Sequence, residues 1–282
     1  MDLNIETELN KINIDRYGIV SAFLAIDKKK WVMSHDIVNQ VRKRLGTKCV
    51  GHAGALDPFA TGVLIILVGK KYTKLSNDLL GLDKTYQMRV LLGVQTKTLD
   101  IESEISVVDN EFGLPEDNKI QEVLNSFDGG YSQTVPIYSS VKVNGNKLRV
   151  LARGSDSFQI ITKENKGFVN FINFSGQNIE IEIPVKEVKL YDIKILGQGR
   201  LKKEDLPQEW KAGEMIKDSI EYLDIEFGCS KGTYARQFAA DIAEKLGTVG
   251  MLVELERSRI GTIYQKDCIE IDKVNYPTPP VY

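Results

Sequence analysis

Apolar and polar positions alternate along the chain with two different periods. Residues 19–27, IVSAFLAID, are almost continuously apolar and predict a buried strand. The period then lengthens. Ile37, Val38, Val41 and Leu45 fall on one face of a helix running from Ser34 to about Leu45. Asp36 sits in its first turn and Arg42, Lys43 and Arg44 near its last, each sign suited to that end of the helix dipole. Ser34 is placed as the N-cap and Gly46 as the stop. The segment GHAGALDPFATGVL, residues 51–64, reads as a Gly-rich loop feeding a buried strand, VLIILV. A short helix is expected around 73–80, and KTYQMRVLLGV, residues 84–94, alternates as a strand.

Further on, Ile120, Val123, Leu124 and Phe127 give a second helix over 115–127, stopped by Gly129-Gly130. Residues 156–199 alternate with turn breaks and predict two or three strands. The polar stretch GRLKKEDLPQEWKAGEM, residues 199–215, predicts a surface loop or short helix. YLDIEFGC reads as a strand leading into Ser230-Lys231-Gly232-Thr233. A helix follows to about Leu246, carrying Tyr234, Phe238, Ile242 and Leu246, and MLVELERSRIGTI is the last strand. The elements interleave without regular βαβ spacing. The expected fold is therefore α+β, with a mixed, mostly antiparallel sheet flanked by helices and loops.

A chain of 282 residues, 42% hydrophobic and 27% charged, has the make-up of an ordinary soluble globular protein. A single domain over residues 1–282 is expected. Its three cysteines are widely spaced with no CxxC pair, which argues against a disulfide framework or a zinc site and for a reducing, cytoplasmic setting. The polar N-terminus lacks the features of a signal peptide, and the apolar run 63–68 is too short to span a bilayer. Net charge is only −2, yet basic residues cluster: Lys28, Lys29 and Lys30; Arg42, Lys43 and Arg44; Lys70, Lys71 and Lys74; Lys142, Lys147, Arg149 and Arg153. Phosphate contacts need a local basic face rather than a basic protein. Scattered solvated faces are the plainer reading of the charges alone.

Familiar sites are missing from the sequence. There is no GxGxxG after a strand, no phosphate-binding GxxxxGK[ST], no HExxH and no GxSxG, and only His35 and His52 are available to a triad. What stands out is Asp57, one carboxylate among Gly51, Ala53, Gly54, Ala55, Ala60 and Gly62. It is either a solvated turn residue or a charge held for chemistry, because desolvating it without a partner is costly. Tyr86, at a strand start, and Arg236, at a helix start, are candidate partners. An arginine beside a carboxylate keeps it ionised and oriented, and an ionised, desolvated aspartate is a competent nucleophile. Taken singly, Tyr86 also reads as a core tyrosine and Arg236 as a surface helix residue.

The strings themselves add more. GHAGALDPFATGVL resembles the GHxGTLDPxATGVL signature of TruB-type tRNA pseudouridine synthases. In the same order, KTYQMRVLLGVQTKTLDIE resembles that family's K-x-Y strand followed by LGxxTxTxD. VPIYSSVKVNGNKLRVLAR resembles PPxYSAxKxxGxxLYxxAR, CSKGTYARQFAADIAEKLG resembles CSKGTYIRxLAxDLGxxLG, and LERSRIG resembles LRRTxxG. LAIDKKKWVMSHDIV is similar to a diverged DKPxGxTSHDVV. The resemblance spans residues 18–263 and leaves 154–220 as a possible insertion.

The resemblance implies a pseudouridine synthase that isomerises the T-loop uridine at tRNA position 55 by base flipping, without metal or cofactor. Asp57 matches the catalytic aspartate, Tyr86 the tyrosine that stacks on the target base, and Arg236 the arginine that pairs with the carboxylate. Tyr234 and Leu255 match contacts to the flipped uridine, and His52 a histidine that enters the T-loop. Splayed bases stacked on aromatic and imidazole rings are how RNA loops are recognised, and replacement stacking offsets part of the cost of flipping. The partner implied is the tRNA T-stem-loop, with a monomeric enzyme needing no protein partner and no membrane. Ala55, Val135, Arg149, Glu256, Lys29 and Trp31 depart from the family pattern. The roughly twenty residues after the last motif are too few for the PUA domain of many relatives. Two other readings use the same scaffold: a non-catalytic tRNA-folding chaperone, and the catalytic subunit of an RNA-guided pseudouridylase.

Overall fold

The computed structural model describes residues 5–164, 166–172, 176–207, 210, 215–216 and 218–276. Among the described residues, nine strands are hydrogen-bonded in one mixed sheet. Seven follow the order Ile12–Ile14, Val20–Lys28, Thr61–Val68, Gly250–Ile260, Lys84–Leu92, Ser219–Cys229 and Leu190–Lys202. Val50–His52 pairs with Thr61–Val68, and Ile263–Tyr264 pairs with Gly250–Ile260. Val20–Lys28 runs antiparallel to Thr61–Val68, with Ala25 opposite Ile65, whereas Gly250–Ile260 runs parallel to Thr61–Val68, with Arg257 opposite Gly62. The chain divides into two compact units: Met1–Met88, Ile225–Lys231 and Glu254–Tyr282 form the first, Arg89–Asp224 and Gly232–Val253 the second.

In the first unit the apolar run of Val20–Lys28 is buried on both faces. One face packs Ala22, Leu24 and Ile26 against Ile37, Val38, Val41 and Leu45 of the helix Ser34–Arg44. The other packs Phe23 and Ala25 with Ile65, Leu67, Tyr72 and Leu79. Each of the larger aliphatic and aromatic side chains among them contributes about 2 kcal/mol by leaving water. The helix expected over 73–80 is two short ones, Lys70–Thr73 and Ser76–Leu80. Ser34 is the first helical residue rather than the cap. Met33 holds the N-cap position, where its thioether makes no capping hydrogen bond, and the Ser34 hydroxyl is engaged with Leu56 instead.

In the second unit the helix Asp117–Asn125 buries Ile120, Val123 and Leu124 as expected. The described residues of 156–199 hold five strands instead of two or three. Ser157–Lys163, Lys166–Ile172 and Asn178–Glu182 form their own antiparallel sheet, Val185–Val188 pairs with Tyr131–Thr134, and Leu190–Lys202 joins the large sheet. Each of the three is short and buries at most alternate residues, such as Val169, Phe171 and Ile181, so a count from pattern merges them. The polar stretch 199–215 is also less superficial than expected. The last strand continues to Lys202, and Leu206 and Trp210 are buried. Residues 208, 209 and 211–214 of that stretch lie outside the described residues. No helix among the described residues is long and apolar enough to cross a membrane.

Candidate active site

Asp57 sits in the turn between Val50–His52 and Thr61–Val68, where the Ala60 amide donates to the Asp57 carbonyl at 3.1 Å. The turn is held by groups that the rest of the first unit supplies. The Ser34 hydroxyl donates to the Leu56 carbonyl at 3.1 Å and accepts from the Leu56 amide at 3.0 Å. Lys28 is fully buried, and its ammonium donates to the carbonyls of Ala60 at 2.5 Å, Pro58 at 3.0 Å and Lys29 at 3.2 Å. Three donors thus meet three acceptors. Arg257, also buried, donates through Nη2 to Gly54 and through Nε to Val63. Phe59 anchors the turn in the interior. The backbone on both sides of the carboxylate is therefore fixed before any ligand arrives, and two buried cations lie on the carbonyls of this segment.

Tyr86 stands near the start of Lys84–Leu92. Its ring stacks on Phe227 at 5.7 Å between centroids, and its hydroxyl lies 3.5 Å from Arg257 Nη1. Burial pushes the phenol above its ordinary value. The Arg257 charge opposes this and the Asp57 charge adds to it, so the tyrosine is a neutral aromatic surface at physiological pH. Lys84 is buried, with its ammonium on the carbonyls of Leu80 and Leu82, and burial lowers its pKa.

His52 ends the strand Val50–His52, opposite Ile66, rather than lying in the loop. Its Nδ1 is buried without a hydrogen-bond partner. Burial first, then the charges of Arg257 and His35, holds the imidazole below the ordinary histidine value. Leu255 lies buried in Gly250–Ile260.

Arg236 and Tyr234 belong to the second unit. Tyr234 is the N-cap of the helix Ala235–Lys245. The buried Gln133 amide accepts from the Tyr234 amide at 2.8 Å and donates to the Tyr234 carbonyl at 3.1 Å. Arg236 donates through Nη1 to the Thr98 carbonyl at 2.9 Å and lies 3.4 Å from an Asp100 carboxylate oxygen, with Nη2 3.4 Å from the Tyr138 carbonyl. Asp57, Tyr86, His52 and Leu255 thus lie in the first unit, and Arg236 and Tyr234 in the second.

Three residues escape a reading of the sequence. Lys28 reads as part of a basic surface cluster and is instead a buried brace of the Asp57 turn. Arg257 carries a signal: it stands two residues after Leu255 on one strand, the spacing of a shared face. Gln133 has no local signal. Other basic residues are also committed within the fold. Arg42 donates to the Val50 carbonyl, Arg44 pairs with Asp272, and Lys71 pairs with Glu8.

Residues 42–187 match the model of the family described as TruB family pseudouridylate synthase, N-terminal domain. The chain is 34% identical over 256 residues to a tRNA pseudouridine synthase B of Caldicellulosiruptor saccharolyticus, covering 91% of this chain and 73% of the relative. It is 32% identical to that of Protochlamydia amoebophila, over 94% of this chain and 84% of the relative. Among solved structures, a chain of an H/ACA RNP bound to a substrate RNA containing 2′-deoxyuridine superposes with a TM-score of 0.53 at 20% identity. That match covers 89% of this chain and 51% of the other, so this chain spans about half its length. The likeness is one of fold, and it agrees with the α+β architecture expected above.

Proposed function

The chain belongs to the TruB family of pseudouridylate synthases, and we propose that it isomerises the uridine at position 55 in the T-loop of tRNA, with Asp57 as nucleophile. The observation that carries this reading is the braced turn: Lys28, Ser34 and Arg257 fix the backbone around one carboxylate, beside a neutral tyrosine ring. A carboxylate positioned in advance need not reorganise during attack. That both relatives described above are tRNA pseudouridine synthases supports tRNA as the substrate.

In this reading the target base leaves the T-loop stack and enters the site. The Asp57 carboxylate attacks the nucleoside at C1′ or C6, and the N1–C1′ bond breaks. The uracil turns and bonds to C1′ through C5, and the bond to Asp57 breaks, its electron pair returning to the carboxylate. C5 loses its proton and N1 gains one, so the reaction is an isomerisation with no net redox change. By the family resemblance, Tyr86 is the residue for stacking on the base, Tyr234 and Leu255 are those for contacting it, and Arg236 is the match to the arginine that serves the catalytic carboxylate. The neutral imidazole of His52 fills space vacated in the loop. Lys43, Lys70, Lys74, Lys142, Lys147, Arg149 and Arg153 supply phosphate contacts. The protein acts in the cytoplasm as a monomer. Incubating it with a T-arm stem-loop transcript and mapping pseudouridine tests the reading. The wild type converts the target uridine and Asp57→Asn does not. No product from the wild type, or equal product from the variant, removes it.

A further inference from the structure

Trp31 has φ = +65°, in the left-handed region that a bulky L residue rarely adopts. It stands where the similar motif DKPxGxTSHDVV has its glycine, the residue that adopts this conformation without strain. Burial does not account for the exchange, because the side chain is 41% exposed. The Trp31 amide donates to the carbonyl of Pro58 at 2.8 Å, so the residue is tied to the position next to Asp57. The Lys30 ammonium lies 5.9 Å from the indole centroid, and Met33, two positions on, is exposed. An outlier kept in a strained conformation, exposed, and fastened to a catalytic turn points to contact with a ligand.

We propose that Trp31 is a stacking platform for an unpaired nucleobase of the substrate RNA, with Lys30 placed for the adjoining phosphate. The inference rests on the RNA-modifying reading above. An indole stacks on any base through its face, and a neighbouring cation meets the backbone that follows. Because every base offers such a face, Trp31 contributes affinity and placement rather than sequence choice. It acts on a nucleotide beside the one that reacts.

The experiment uses the T-arm stem-loop and the full chain, with binding measured in an Asp57→Asn background so that no turnover occurs. RNA quenches indole fluorescence in that protein. With Trp31→Phe added, the remaining tryptophan is the buried Trp210 and the quench is lost. Trp31→Leu and Trp31→Gly raise the dissociation constant about tenfold, the weight of one base–aromatic stack, and Trp31→Phe raises it by less than about threefold. Trp31→Gly keeps or raises the thermal midpoint, so its lost affinity is not unfolding. Wild-type affinity in both Leu and Gly variants, or a quench that persists with Trp31→Phe, overturns the inference. If those results come with normal pseudouridine formation by the wild type, only the role of Trp31 falls. If the wild type neither binds nor modifies the RNA, the functional reading falls and takes this one with it.

Discussion

Arg257 donates to the carbonyl oxygen of Gly54 at 2.9 Å while another of its nitrogens lies 3.5 Å from the Tyr86 hydroxyl. One buried guanidinium thus connects the turn of the proposed nucleophile with the aromatic ring beside it. Its Nε also satisfies the Val63 carbonyl at 2.8 Å. A lysine ammonium lacks the planar fork that reaches several directions at once. Arg257→Lys therefore leaves at least one buried carbonyl unsatisfied and costs about 2 kcal/mol of stability. Urea unfolding reads that cost. Turnover falls further than the folded fraction does, because both the turn and Tyr86 lose their common support. An unchanged urea midpoint with full activity would refute this role.

Gly62 lies opposite Arg257 in the parallel pairing and has φ = +98°. A β-carbon there would stand 2.3 Å from the Arg257 carbonyl oxygen, which is backbone and cannot rotate away. Gly62→Ala is expected to cost more than about 4 kcal/mol, in the range reserved for strain within a packed core. Gly247 separates the clash from the dihedral. It has φ = +88° with nothing within 4 Å of the added carbon, so Gly247→Ala costs only about 1–2 kcal/mol. Comparable midpoints for the two variants in denaturant titrations would show that the close approach is not what matters.

The elements whose own burial follows one period are legible in the sequence. Val20–Lys28 and Ser34–Arg44 are found within a residue or so because their apolar positions repeat at the spacing of buried strand and helix. What a local pattern cannot show is a partner far along the chain. Ser34 reads as a cap because serine before an apolar helix usually is one, yet its hydroxyl serves Leu56, 22 residues away. Lys28 reads as solvated because lysine usually is, yet its three acceptors include carbonyls 30 and 32 residues on. Asp57 is legible as a charge among small residues. Its attribution to catalysis, with Tyr86 and Arg236, comes from ordered motifs rather than from spacing.

His52 makes stability depend on pH. Its folded pKa lies below the ordinary value of about 6.5, chiefly through burial. The unfolded chain therefore takes up the proton first as pH falls. This contribution is fully present above about pH 6.5 and is lost as pH drops through the folded value. Unfolding free energies measured by urea between about pH 7.5 and 5 should decline for the wild type and decline less for His52→Gln. Parallel curves for the two proteins would assign the slope to other groups.

Gln133 treats the Tyr234 peptide as a neighbouring strand would, accepting from its amide and donating to its carbonyl. Its amide nitrogen also donates to the Tyr131 hydroxyl at 2.6 Å, and that hydroxyl donates to Asp241 at 2.7 Å. The residue so clamped is the N-cap of Ala235–Lys245, and Arg236 is the second residue of that helix. Gln133→Leu removes the clamp without changing any charge. It takes the acceptor from the half-buried Tyr234 amide, while the Tyr234 carbonyl keeps the Phe238 amide at 3.0 Å, so the cost is about 1–2 kcal/mol. The Arg236 guanidinium depends on its helix start to meet the Thr98 carbonyl and Asp100 together. Looser placement should therefore appear as a kcat at least about tenfold lower, with KM for the RNA changed by less than about threefold. Gln133→Glu keeps the size and an acceptor for the Tyr234 amide but sets a buried carboxylate against the Tyr234 carbonyl and the Tyr131 hydroxyl, and should be no more stable than Gln133→Leu. A kcat loss no larger than the fraction of unfolded protein would reduce Gln133 to a purely structural residue.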